Sequence, residues 1–111
     1  MGTNAHGGPP SWKATEVSDL RGDRTLVLYG ELDIATAPEL VALLARLRHH
    51  GHAVALDLAE VTFMDSTGLT TLMDAHVDAR REGRAFTVQR ASPAVRRVFD
   101  LAGMNGVLDE G

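Results

Sequence analysis

Asp57-Leu58-Ala59-Glu60-Val61-Thr62-Phe63-Met64-Asp65-Ser66-Thr67-Gly68-Leu69 joins two different periodicities. Before it, Val54, Leu56 and Leu58 alternate as the buried side of a strand does; after it, Leu69, Leu72, Met73, His76 and Val77 recur at the i, i+3, i+4 spacing of a helix. The spacing predicts a strand over 53–58 and a helix over 66–82, closed by Arg80, Arg81 and Gly83. The period changes across Asp65-Ser66-Thr67-Gly68, so hydroxyls stand at a helix N-terminus, where unpaired N–H groups and a partial positive charge favour an anion. Ser66 is the candidate switch residue.

Three chemistries compete for Ser66. It could simply cap the helix, which Ser and Asp both do for about 1 kcal/mol. It could be a nucleophile on a strand-to-helix elbow, but Met64 stands where that motif needs glycine, and no histidine lies nearby in sequence. It could be a phosphate acceptor, the added charge falling on a helix end that tolerates it and on a surface made more acidic by Asp65, and by Asp33 if the two turns meet. Thr67 carries a second hydroxyl, and spacing alone does not choose between the two. Gly68 either allows a partner to approach the backbone or is an ordinary first-turn residue.

Upstream, Trp12 to Leu20 and Thr25 to Tyr29 read as a hairpin around the turn Arg21-Gly22-Asp23, with Gly30 closing the second strand. That turn explains the Arg-Gly-Asp tripeptide without any adhesive role. Thr36, Pro38 and Glu39 carry helix-start signals, including a capping box. Leu40, Leu43, Leu44 and Leu47 form the apolar stripe of a helix of about 14 residues, ended by Arg46, Arg48, His49, His50 and Gly51. Downstream, Phe86 and Val88 mark a strand over 85–89. Ser92 and Pro93 open a helix burying Val95, Val98, Phe99 and Ala102, Gly103 ends it, and 107–108 could add a last edge. Strand and helix alternate, predicting a mixed, mainly parallel α/β sheet with an antiparallel N-terminal edge.

The 111 residues, 44% of them hydrophobic, suffice for one core, expected over 12–111 behind a disordered leader, 1–11, rich in Gly and Pro. His6 disqualifies Gly2 as a myristoylation site. Without cysteine there are no disulfides, and a net charge of −4 argues against nucleic acid. No apolar run approaches the ~20 residues of a membrane span, so a cytoplasmic chain with no membrane role is expected. His49, His50 and His52 straddle a helix end without acidic companions and are no metal site; His76 reads as a half-buried packing residue.

Three stretches together resemble one family. The 57–69 stretch is similar to the signature of the STAS domain of bacterial anti-sigma-factor antagonists, Gly30-Glu31-Leu32-Asp33 with Thr36 and Ala37 to its Gly-x-Leu-Asp segment, and Ser92 to Gly103 to its closing helix. The likeness covers roughly 15–108 and implies a single STAS domain with helices mainly on one face of the sheet. It further implies a monomeric binding protein, not an enzyme, that frees a sigma factor by binding its anti-sigma factor. That partner would also be the serine kinase acting on Ser66, with a phosphatase resetting the switch. ATP would belong to the partner, and this chain would need no cofactor. Asp33, Asp65, Ser66, Thr67 and Gly68 would form the partner-binding surface. The rival readings are a scaffold or adaptor subunit of a signalling or transport assembly without phosphorylation and, more distantly, a serine hydrolase.

Overall fold

The fold is given by a computed structural model that describes residues 12–51, 53–104 and 106. The leader 1–11, His52 and the 107–108 edge lie outside the described residues. Seven elements follow in order: β1 (Trp12–Ser18), β2 (Arg24–Leu32), α1 (Ala37–His50), β3 (Val54–Met64), α2 (Ser66–Arg81), β4 (Phe86–Ala91) and α3 (Pro93–Leu101). The sheet order is β1-β2-β3-β4, with β1 antiparallel to β2 and the other neighbours parallel. This is the expected mixed sheet with an antiparallel edge. Because β2, β3 and β4 advance in one direction, right-handed crossovers place α1 and α2 on the same face.

The burial pattern agrees. Leu26, Leu28, Val54, Leu56, Leu58, Phe86 and Val88 are buried on the helical side, whereas Thr25, Val27, Ala55 and Thr87, which alternate with them, stay partly exposed. Leu40, Leu44 and Leu47 of α1, Leu69 and Leu72 of α2, and Val95 and Phe99 of α3 complete one contiguous core. Each such side chain contributes about 1.5–3 kcal/mol when fully buried. Ser92 caps α3 as predicted, its Oγ accepting from the Val95 N–H at 3.2 Å. Val77 and Ala102, assigned to buried faces from spacing, are exposed. His76 is more deeply buried than expected, edge-on to Phe86 at 6.2 Å between ring centroids, and its Nδ1 lacks a hydrogen-bond partner among the described residues.

Both central strands run past their predicted ends. Gly30 does not close β2; it sits within it at φ +94°, beside two places where β3 carries an extra residue, between the Val27 and Tyr29 pairs and between the Gly30 and Glu31 pairs. The bulges change the inward spacing on β3 from two to three, so Leu58, Val61 and Met64 all face the core. That broken alternation hides the strand's second half from a period-2 reading. As a result β2 and β3 finish together, with Leu32 opposite Met64, and deliver their following turns to one edge of the sheet.

The capping box predicted for α1 is not formed. Thr36 already has helical angles, φ −95° and ψ −14°, which carry its side chain away from the first-turn N–H groups. Its Oγ1 instead accepts from the Asp33 N–H at 3.0 Å and donates to the Glu31 carbonyl at 2.9 Å. Glu39 accepts from Trp12 Nε1 at 2.7 Å, tying α1 to β1.

On the sheet face away from these helices, Asp57 is buried and accepts from Arg90 Nε at 3.0 Å and from the Ala59 N–H at 3.1 Å. Burial works against its charge, but the Arg90 guanidinium and the Ala59 N–H outweigh that and hold the carboxyl below its ordinary value. A lowered folded-state pKa means the pair's stabilisation is complete above the unfolded pKa, near about 4, and is lost as pH falls through the lower folded value. Asp57→Asn should therefore melt below the parent at neutral pH, with the gap closing as both are taken below about pH 4 in calorimetric scans. A gap that persists unchanged in acid would show that packing, not ionisation, carries the effect.

Candidate functional site

The parallel register of β2 and β3 sets the Asp33 and Asp65 turns side by side; two hydrogen bonds join them and a third caps α2. Asp65 N–H donates to the Leu32 carbonyl at 3.2 Å, the Ile34 N–H donates to Asp65 Oδ2 at 3.2 Å, and the Gly68 N–H donates to Asp65 Oδ1 at 3.0 Å. Asp65 is extended, with φ −108° and ψ −175°, and is the N-cap of α2. The capping role open to Ser66 thus belongs to Asp65, and Ser66 is the first helical residue. Its side chain is exposed and forms no hydrogen bond among the described residues. Asp65 satisfies the Gly68 donor and its carbonyl the Leu69 donor at 3.1 Å, leaving the Ser66 and Thr67 N–H groups at the helix end.

The two turns do meet, which brings Asp33 to the same place, but its carboxylate folds back: Oδ1 accepts from the Ala35 and Thr36 N–H groups, both at 3.0 Å. Thr67 is half-buried, and its carbonyl accepts from Thr71 Oγ1 at 2.9 Å. Between the two hydroxyls, Ser66 is the open one.

Gly68 packs against the other turn. The close backbone approach it permits within the domain is to Leu32: Gly68 is buried, and a Cβ there would lie 2.3 Å from the Leu32 carbonyl oxygen and 3.0 Å from its carbon. A side chain would force α2 away from the end of β2. Asp33, Asp65 and Gly68 thus shape the site from within.

Two outward groups escaped the sequence reading. Ile34 is 73% exposed in the turn that hydrogen-bonds Asp65, and Phe63 is 48% exposed beside the exposed Glu31, its register partner on β2. In sequence Phe63 is indistinguishable from a core residue, because the bulges shift which positions face inward. Ile34 did leave a signal, as an apolar residue inside a turn otherwise made of Asp, Ala and Thr. The two turns present the exposed Ser66 hydroxyl and Ile34 among carboxylates, with the exposed Phe63 near the end of β3. No base hydrogen-bonds Ser66 among the described residues, so nothing there activates it as a nucleophile.

Comparisons with known proteins give the chain's family. The chain is 34% identical over 80 residues to the anti-sigma-B factor antagonist of Staphylococcus epidermidis, covering 71% of this chain and 74% of that one. It is 28% identical over 94 residues to the anti-sigma-B factor antagonist of Bacillus subtilis (strain 168), covering 85% and 86%. The crystal structure of an anti-sigma factor antagonist from Mycobacterium paratuberculosis superposes with a TM-score of 0.78 at 28% identity, covering 91% of this chain and 86% of that one. The family model described as "Mlab, STAS domain" matches residues 16–109, and the chain belongs to the STAS domain family.

Proposed function

We propose that this chain is an anti-sigma-factor antagonist: unphosphorylated, it binds an anti-sigma factor and so releases a sigma factor, and phosphate on Ser66 switches that binding off. The observation that carries the switch is the exposed, unbonded hydroxyl at the first position of α2, on an edge whose outward apolar groups are Ile34 and Phe63. The names of its relatives support the antagonist role. Ser66, Thr67, Ile34 and Phe63 meet the partner, while Asp33, Asp65 and Gly68 fix the surface they stand on. The anti-sigma factor is itself the serine kinase, with ATP bound on its side, and a phosphatase restores the hydroxyl. The chain performs no chemistry of its own and acts as a cytoplasmic monomer; among the described residues no helix is long and apolar enough to cross a membrane.

A phosphate added here brings close to two negative charges to an edge that already holds Glu31, Asp33 and Asp65. The helix N-terminus tolerates them, so the fold persists while the surface becomes sharply more acidic for a partner that packs against Ile34 and Phe63. Adding the unphosphorylated chain to a preformed complex of the cognate sigma and anti-sigma factors should release sigma factor into a separate size-exclusion peak. Sigma factor that stays bound at a large molar excess of the chain would refute the antagonist reading.

A further inference from the structure

Away from Ser66, α1 and α2 leave a groove of about 290 Å3 between them. Val41, Leu44, Ala45 and Arg48 line one wall and Thr71, Asp74, Ala75 and Asp78 the other, both at the i, i+3, i+4, i+7 spacing of a single helix face. The gap lies where both helices place alanine, and Val54 and Phe86 line it from the starts of β3 and β4. Val41 is 52% exposed at the opening, an apolar side chain that the domain itself leaves uncovered.

The charges around the groove are not balanced. Arg48 reaches Glu82 at 2.6 Å and Asp78 at 3.4 Å, and Arg84 Nε reaches Glu82 at 3.0 Å, so these two cations and two anions neutralise one another. The Thr71 hydroxyl is committed to the Thr67 carbonyl. Asp74 is exposed and has no partner among the described residues, which leaves one negative charge beside an apolar slot.

We propose that this groove binds a small organic cation, an ammonium group carried on an aryl or alkyl body. The ammonium meets Asp74, and the body enters between Ala45 and Ala75 against Val41 and Phe86. The volume is near the lower end of small-ligand pockets, roughly 300 Å3, and suits a single ring system with a short chain. Anions are disfavoured, because both arginines are already occupied.

Tryptamine is a suitable probe, with indole-3-propionate as the control that keeps the ring and reverses the charge. Titrated into isotopically labelled protein and followed by amide chemical shifts, tryptamine should produce saturable changes at Val41, Ala45, Thr71 and Ala75. Asp74→Asn, a change at an exposed position, should weaken it by about fivefold, the scale of one partly solvated ion pair. Ala75→Leu, which fills the slot, should abolish the shifts in a protein whose spectrum remains folded. The proposal is overturned if indole-3-propionate binds as tightly, if Asp74→Asn leaves the affinity unchanged, or if the shifts rise linearly without saturating up to about 10 mM, the mark of contacts weaker than the millimolar range.

Discussion

Gly68→Ala should cost the domain about 3 kcal/mol of stability, although alanine is the better helix former by about 1 kcal/mol. The new Cβ would stand 2.3 Å from the Leu32 carbonyl oxygen, a backbone atom at the end of a central strand. That oxygen cannot retreat cheaply, because it also accepts the Asp65 N–H at 3.2 Å and Leu32 itself is fully buried. The alternative is for the first turn of α2 to lift, which would strain the Asp65 bonds to Gly68 and Ile34. For a domain of this size the loss corresponds to a fall in melting temperature on the order of 10 °C or more, readable by calorimetry. An unchanged or raised melting temperature would mean that the two turns are not in the contact described, and with it the shape of the site would fail.

Ser66→Asp should separate stability from binding. The variant adds a carboxylate at the first position of α2, where the helix dipole favours it by about 0.3–1 kcal/mol, against some repulsion from Asp65. Melting should therefore move little. Affinity for the anti-sigma factor should fall by about a hundredfold, a loss of roughly 2.7 kcal/mol, because a partner seated on Ile34 and Phe63 must desolvate the new charge among existing carboxylates. Ser66→Ala, which removes a hydroxyl that holds nothing in the fold, should bind about as well as the parent. A Ser66→Asp protein that unfolds would place the switch in the fold instead of on the surface.

Much of this molecule can be read from residue order, because most elements carry redundant local signals. The α1 stripe from Leu40 to Leu47, the Ser92 cap and the strand-to-helix junction at Asp65 each combine periodicity with a terminal residue of the right chemistry. The extended ends of β2 and β3 were hidden because two bulges replace alternation with a spacing of three, and a bulge is set by the neighbouring strand rather than by local sequence. Thr36 and Ser66 look equally good as caps, yet the backbone angles leave Thr36 without a side-chain cap bond, its turn being closed by Asp33, and give the capping of α2 to Asp65. Gly68 shows the same limit: its need for a missing side chain arises from Leu32, 36 positions away in the chain. Ile34 and Phe63 were missed because an apolar residue carries no mark of which side of the sheet or turn it will occupy.

On the proposed function, phosphate on Ser66 alone decides whether this surface is available. The most direct test is a calorimetric titration of the anti-sigma factor with the parent chain and with the same chain phosphorylated at Ser66, the site verified by peptide mapping. The account predicts tight binding by the first, binding weaker by about a hundredfold or more by the second, and the same melting temperature for both. Equal affinity for the two forms, or phosphate found on Thr67 with Ser66 unmodified, would contradict it.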